Sequence, residues 1–103
     1  MASKDRIQRK LRVPDEIVAL IRGCHPQLKR KIRAGLRHIM TEPESGKILK
    51  DELKGLKNYP VSRFRIIYRI SSKQIIDIIA VGPRKTIYEE TYRIIKKGSN
   101  PQP

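Results

Sequence analysis

Two neighbouring stretches fix the kind of fold that this chain can adopt. Arg63-Phe64-Arg65-Ile66-Ile67-Tyr68-Arg69-Ile70 alternates residue by residue, with Phe64, Ile66, Tyr68 and Ile70 facing one way and Arg63, Arg65, Ile67 and Arg69 the other. Ile75-Ile76-Asp77-Ile78-Ile79-Ala80-Val81 has no such alternation. It is almost wholly apolar and β-branched, the pattern of a central strand covered on both faces. Ser71-Ser72-Lys73-Gln74 lies between them as a turn, so the two strands form a hairpin. The rest of the chain has to be arranged around that pair.

The first half has a helical period instead. Pro14 precedes Asp15 and Glu16 at a helix start, where proline loses no hydrogen bond and acids complement the helix dipole. Ile17, Leu20 and Ile21 make the apolar stripe, and Gly23 ends the helix. A second helix starts at His25-Pro26. Leu28, Ile32, Leu36 and Ile39 form its buried face, and Lys29, Arg30, Lys31, Arg33 and Arg37 occupy the remainder. It stops before Glu42-Pro43, and the brief link between the helices makes them an antiparallel hairpin. Ile7 to Val13 reads as a first strand, and Tyr59-Pro60-Val61 as a further one that Pro60 confines to an edge or shortens. Gly82-Pro83-Arg84 breaks the last strand. Thr86 to Glu89 then fits a capping box ahead of a final helix from Ile87 to Lys97, with Tyr88, Tyr92 and Ile95 on one side.

This order predicts an α+β domain. A small, mainly antiparallel sheet carries the N-terminal helical hairpin on one face, and a short C-terminal helix follows. A chain of 103 residues is a single domain, with residues 1–5 and 98–103 expected as loose tails. No apolar run approaches a membrane span, and the polar start Met1 to Arg6 does not read as a secretion signal, so the expected setting is cytoplasmic. The single cysteine, Cys24, excludes a disulfide framework and a cysteine-based zinc site, and two histidines are too few for a histidine-based one. No cofactor is expected.

Charge decides the class of partner. There are 24 Lys+Arg against 10 Asp+Glu, a net charge of +14 at neutral pH. Such an excess repels itself in a compact chain and attracts a polyanion, nucleic acid as the first candidate and an acidic protein as the second. The cations also sit on rigid elements. Arg65 projects from the alternating strand, Arg84 follows the central strand, and Tyr88 lies four residues beyond it. In adjacent strands Arg65 and Arg84 share one concave surface with Tyr88. Lys54, Lys57, Arg63 and Lys85 flank it as nucleic-acid-binding cations. This is the material for RNA phosphodiester cleavage, in which a 2′-hydroxyl attacks the neighbouring phosphate. A planar guanidinium matches the phosphoryl oxygens and stays charged. A tyrosine or lysine among cations can handle the proton. Tyr68, on the apolar face of its strand, belongs to the core, and His25 to a helix start.

The stretches Leu53-Lys54-Gly55-Leu56-Lys57-Asn58-Tyr59, Arg63-Phe64-Arg65-Ile66-Ile67-Tyr68-Arg69-Ile70 and Ile78-Ile79-Ala80-Val81-Gly82-Pro83-Arg84-Lys85-Thr86-Ile87-Tyr88 resemble, in order and spacing, the RelE/ParE superfamily of bacterial toxins. With the helical hairpin before them, the resemblance spans roughly residues 7–97. It implies a compact toxin of a type II toxin–antitoxin pair and a cognate antitoxin partner. It further implies either a ribosome-dependent messenger RNA endonuclease or, as in the ParE branch, a DNA gyrase inhibitor without nuclease activity. By position it assigns phosphate stabilisation to Arg65 and Arg84, and stacking or proton handling to Tyr88. One departure stands out: where RelE-type enzymes carry basic residues after the tyrosine matched by Tyr59, this chain has Pro60-Val61-Ser62. The messenger RNA endonuclease, acting with the ribosome, is the leading expectation, gyrase inhibition the alternative, and plain charge-driven nucleic-acid binding the third.

Overall fold

The computed structural model describes residues 8–98. Its elements run β1 (Lys10–Arg12), α1 (Asp15–Arg22), α2 (Pro26–Thr41), β2 (Lys47–Ile48), β3 (Lys57–Val61), β4 (Phe64–Ser72), β5 (Ile75–Pro83) and α3 (Arg84–Gly98), with short 3₁₀ turns at Pro43–Ser45 and Asp51–Leu53. The strands form one sheet in the order β1-β5-β4-β3-β2. All neighbours are antiparallel except β1 and β5, which are parallel. The α+β architecture is therefore the one expected. Among the described residues no helix is long and apolar enough to cross a membrane.

The alternation of β4 builds the two layers. Ile66 and Tyr68 pack on one face with Ile17 and Ile21 of α1 and Ile32 and Ile39 of α2. Ile67 points to the other face, where Leu56, Ala80 and Ile87 meet it. The helical hairpin thus covers one side of the sheet and α3 the opposite side. β5 supplies both layers through a bulge. Ile78 pairs with Tyr68 and Ala80 with Ile67, so Ile79 has no partner and the side-chain parity reverses there. Ile76, Ile78 and Val81 face the hairpin while Ala80 faces α3. Hence the run needs apolar residues at nearly every position. Ile67 and Ile87 are wholly buried against each other's cluster. Burial of each is worth about 2–3 kcal/mol, which pins α3 to the sheet.

Several boundaries differ from expectation. The first strand is limited to Lys10–Arg12 among the described residues. Pro14 is the residue before α1 and not its first. β3 starts at Lys57, and Pro60 lies beyond the two residues that β2 covers, so the edge that proline requires is present. The final helix starts at Arg84, and the Thr86–Glu89 capping box does not form. The N–H of Arg84 is already taken by the carbonyl of Arg63, which starts the helix earlier. Its inward face is Ile87, Thr91 and Ile95, whereas Tyr92 and Ile94 are exposed. Gly98, expected in the tail, is the last residue of α3, and the rest of both tails lies outside the described residues.

Candidate functional site

The site is built at the tip of the β3–β4 hairpin. Val61 pairs with Phe64, which leaves only Ser62 and Arg63 to turn the chain. Ser62 takes a positive φ of 59° and Arg63 does not, the pattern of a type II′ turn. The carbonyl of Arg63 accepts the backbone N–H of Arg84 at 2.8 Å, so the first turn of α3 is fastened to the hairpin tip. Arg65 stands opposite Gly82 of β5 and Pro60 of β3, on the face that α3 covers. A Cβ at Gly82 would approach Ile87 Cδ1 to 3.0 Å, so the glycine lets α3 leave the sheet close to Arg65. The Arg65 guanidinium is held by its own turn: Nη1 donates to the carbonyls of Phe64 at 2.8 Å and Ser62 at 3.1 Å.

Together these elements enclose an open cleft of about 600 Å³, lined by Ser62, Arg63, Arg65, Pro83, Arg84 and Lys85. Four of the six are cations and none is an acid. The first turn of α3 also holds no carboxylate, so its positive dipole end adds to the same field. Such a cleft can hold a phosphoryl group between planar guanidinium forks. Among the described residues Ser62 is the only one of the lining with a hydroxyl.

Of the residues singled out in the sequence, Arg63, Arg65, Arg84 and Lys85 come together here. Tyr88 lies one turn further along α3, half-buried against the Leu56, Ile67, Ala80 and Ile87 cluster, and does not line the cleft. Lys57 is directed away from it. It pairs across strands with Tyr68, and its ammonium meets Glu44 Oε1 at 3.0 Å with the side chain only 14% exposed. Lys54 closes the 3₁₀ turn at Asp51–Leu53 and is exposed outside the lining. The contributions of Ser62 and Pro83 were not singled out. The two-residue gap between Val61 and Phe64 was the signal for the first of them.

A tyrosine on the other face organises the surroundings. Tyr68 is fully buried, donates its hydroxyl to the Pro43 carbonyl at 2.6 Å and accepts the Gly46 N–H at 3.0 Å. Burial pushes its phenol above the ordinary range, partly offset by the Gly46 hydrogen bond. Far from the cleft, Asp77 accepts Arg12 Nε at 2.6 Å and Arg12 Nη2 at 3.1 Å. Chiefly for that reason its carboxyl is held below the usual range.

Residues 6–88 match the family described as the ParE toxin of the type II toxin–antitoxin system parDE. No curated protein matches the chain. Among solved structures, the fold is similar to a chain in the crystal structure of the toxin–antitoxin complex RelBE2 from Mycobacterium tuberculosis. That match has a TM-score of 0.66 and 21% identity, over 76% of this chain and 100% of that one. It is also similar to a double arginine-to-alanine mutant of the E. coli toxin RelE in the free state, with a TM-score of 0.64 and 16% identity over 82% of this chain and 90% of that one.

Proposed function

The chain belongs to the ParE toxin family of type II toxin–antitoxin systems, within the RelE/ParE superfamily, and on that footing we propose that it is a ribosome-dependent messenger RNA endonuclease. The observation that carries this reading is the acid-free cleft shared by Arg65 and Arg84, which come from different elements and meet at one hairpin tip. In the proposed reaction the 2′-oxygen bonds to the adjacent phosphorus and gives its proton to water, while the P–O5′ bond breaks and the departing 5′-oxygen takes a proton from water. Arg65 and Arg84 share the charge that develops on the non-bridging oxygens. Arg63 and Lys85 hold the flanking phosphates, and Tyr88, one turn outside the lining, takes the stacking or proton-handling role only on a substrate that reaches beyond the cleft. Lys54 and Lys57 have lesser parts, since one is outside the cleft and the other is paired with Glu44.

A second reading, inhibition of DNA gyrase without cleavage, is favoured by one feature. Among the described residues the cleft lining contains no carboxylate, histidine or tyrosine that would move a proton. In both readings a cognate antitoxin neutralises the protein; the RelBE2 structure is such a toxin–antitoxin complex.

Induction in bacterial cells with transcript-end mapping tests the choice. The nuclease reading expects new transcript ends within minutes of induction and loss of at least about a hundredfold in cutting on Arg84→Ala. Growth arrest with intact transcripts and broken DNA would replace it with the gyrase reading.

A further inference from the structure

The cleft does not end at the hairpin tip. Ser62 and Arg63 also line a second hollow of about 280 Å³, which continues over His25, Gln27, Leu28, Lys31 and Phe64. Gln27 and Lys31 in turn belong to a third, of about 540 Å³, with Arg30 and Ala34. Shared residues join the three into one course. It runs from the start of α3, over the β3–β4 turn, and along the N-terminal half of α2.

The charge on that course is unopposed. Arg30, Lys31, Arg63, Arg84 and Lys85 are exposed, and among the described residues none of them pairs with a carboxylate. Among the described residues no acidic one lines any of the three hollows. On α2, Gln27, Arg30, Lys31 and Ala34 recur at helical spacing and form one exposed stripe beside the buried face of Ile32, Gly35 and Ile39. Aromatic material sits midway: Phe64 is half-buried on the edge of the core, and exposed His25 caps α2 beside it.

We propose that this course is the path of a single-stranded RNA that continues out of the cleft, its phosphates on Arg63, Lys31 and Arg30 and a base against Phe64 and His25. This rests on the reading of the cleft as an RNA site. Three features select the occupant. The unpaired cations match a polyanion. A stacking surface in the middle of a basic groove suits unpaired bases more than acidic side chains. The path also passes from the face covered by α3 to the face covered by α2. A flexible single strand turns such a corner, whereas a stiff duplex resists it.

The test is fluorescence binding of a labelled uncleavable 2′-O-methyl tetranucleotide and a dodecanucleotide of the same backbone to the purified protein. The long probe should bind more tightly than the short one. Lys31→Glu with Arg30→Glu should weaken the long probe about tenfold or more, flatten its salt dependence, and change the short probe less than about twofold. Lys73→Glu with Lys97→Glu, the same change of charge at exposed lysines that line none of the three hollows, should alter neither probe by more than about twofold. Equal losses for both probes, or an equal effect of Lys73→Glu with Lys97→Glu, would overturn the path. So would an unchanged long probe together with weakened binding of a poly-glutamate peptide, which would give the surface to an acidic protein partner. The readout involves no cleavage. Intact transcripts in cells with the length effect retained would sink the nuclease reading alone, and cutting with no length effect would sink the path alone.

Discussion

The backbone N–H of Arg84 donates to the carbonyl of Arg63 at 2.8 Å, and this bond fixes where α3 begins relative to the β3–β4 turn. It involves no side chain, so the Arg84 guanidinium is free to act on what enters the cleft. Arg84→Ala should therefore leave stability within about 0.5 kcal/mol of the parent while removing toxicity. Arg65 differs, because its guanidinium also holds the carbonyls of Ser62 and Phe64. Arg65→Ala should remove toxicity and cost about 1 kcal/mol as well. Urea unfolding alongside growth after induction separates the two. An Arg84→Ala protein that is as toxic as the parent would refute the role given to that side chain.

Tyr68 ties the loop after α2 to the sheet, and Gly46 is the residue that makes room for it. A Cβ on Gly46 would lie 2.6 Å from the Tyr68 hydroxyl and 3.1 Å from the Asn58 carbonyl. Gly46→Ala should destabilise by about 1–3 kcal/mol through overpacking. Tyr68→Phe should cost about 1–3 kcal/mol by leaving the Pro43 carbonyl without its donor. The pH dependence has a definite sign. Burial raises the phenol above its ordinary value of 10.0, so its stabilising contribution is complete below pH 10.0 and is lost as pH rises through the raised value. The stability gap between parent and Tyr68→Phe should narrow above pH 10.0 in unfolding titrations. A gap that widens there would contradict this account.

Much of the fold was legible because it depends on period. The β4 alternation assigned Phe64, Ile66, Tyr68 and Ile70 to one face, and they pack there. The almost wholly apolar run of β5 indicated cover on both sides, and the helical hairpin on one face and α3 on the other supply it. What escaped depends on distances between elements. The start of α3 departs from the capping pattern because the partner of its first N–H, the Arg63 carbonyl, is 21 positions away in sequence and invisible to a local motif. Lys57 looked like a site cation because its distant partner, Glu44, could not be read from spacing. Arg65 and Arg84 were legible as neighbours because adjacent antiparallel strands bring them together whatever the loops do. The course along α2 was not, since it needs the helix and the hairpin tip in three dimensions.

Gly35 is another case that only packing reveals. It is buried in α2, where its absent side chain lets the helix approach Tyr59, Val61 and Ile66. Added there, a Cβ would lie 3.0 Å from Tyr59 Cε1 and 3.1 Å from Val61 Cγ2. Helix propensity favours alanine by about 1 kcal/mol, so the two effects oppose. Contacts on two sides leave the neighbours little room, and the packing cost of about 1–3 kcal/mol should prevail. Gly35→Ala should lower the thermal midpoint. Its rise would show that α2 shifts outward without penalty.

Asp77 holds the short parallel strand at the sheet edge. Its carboxylate accepts both Arg12 bonds, lies 3.5 Å from Arg69 Nη2 and accepts the Ser71 hydroxyl. Arg12 is its cross-strand register partner, so the pair secures β1 against β5. Bonding to Arg12, above all, holds the carboxyl below its ordinary value of 3.8. The stabilisation is then complete above pH 3.8 and is lost as pH falls through the depressed value. Asp77→Asn should lower stability at neutral pH, and the gap to the parent should close on acidification below pH 3.8. Amide exchange at Lys10–Arg12 should accelerate in the variant while that of Ile66 and Ile67 changes far less, because those amides lie between β3 and β5 in the interior of the sheet. Uniform acceleration across the sheet would mean that Asp77 supports the whole fold and not the edge strand alone.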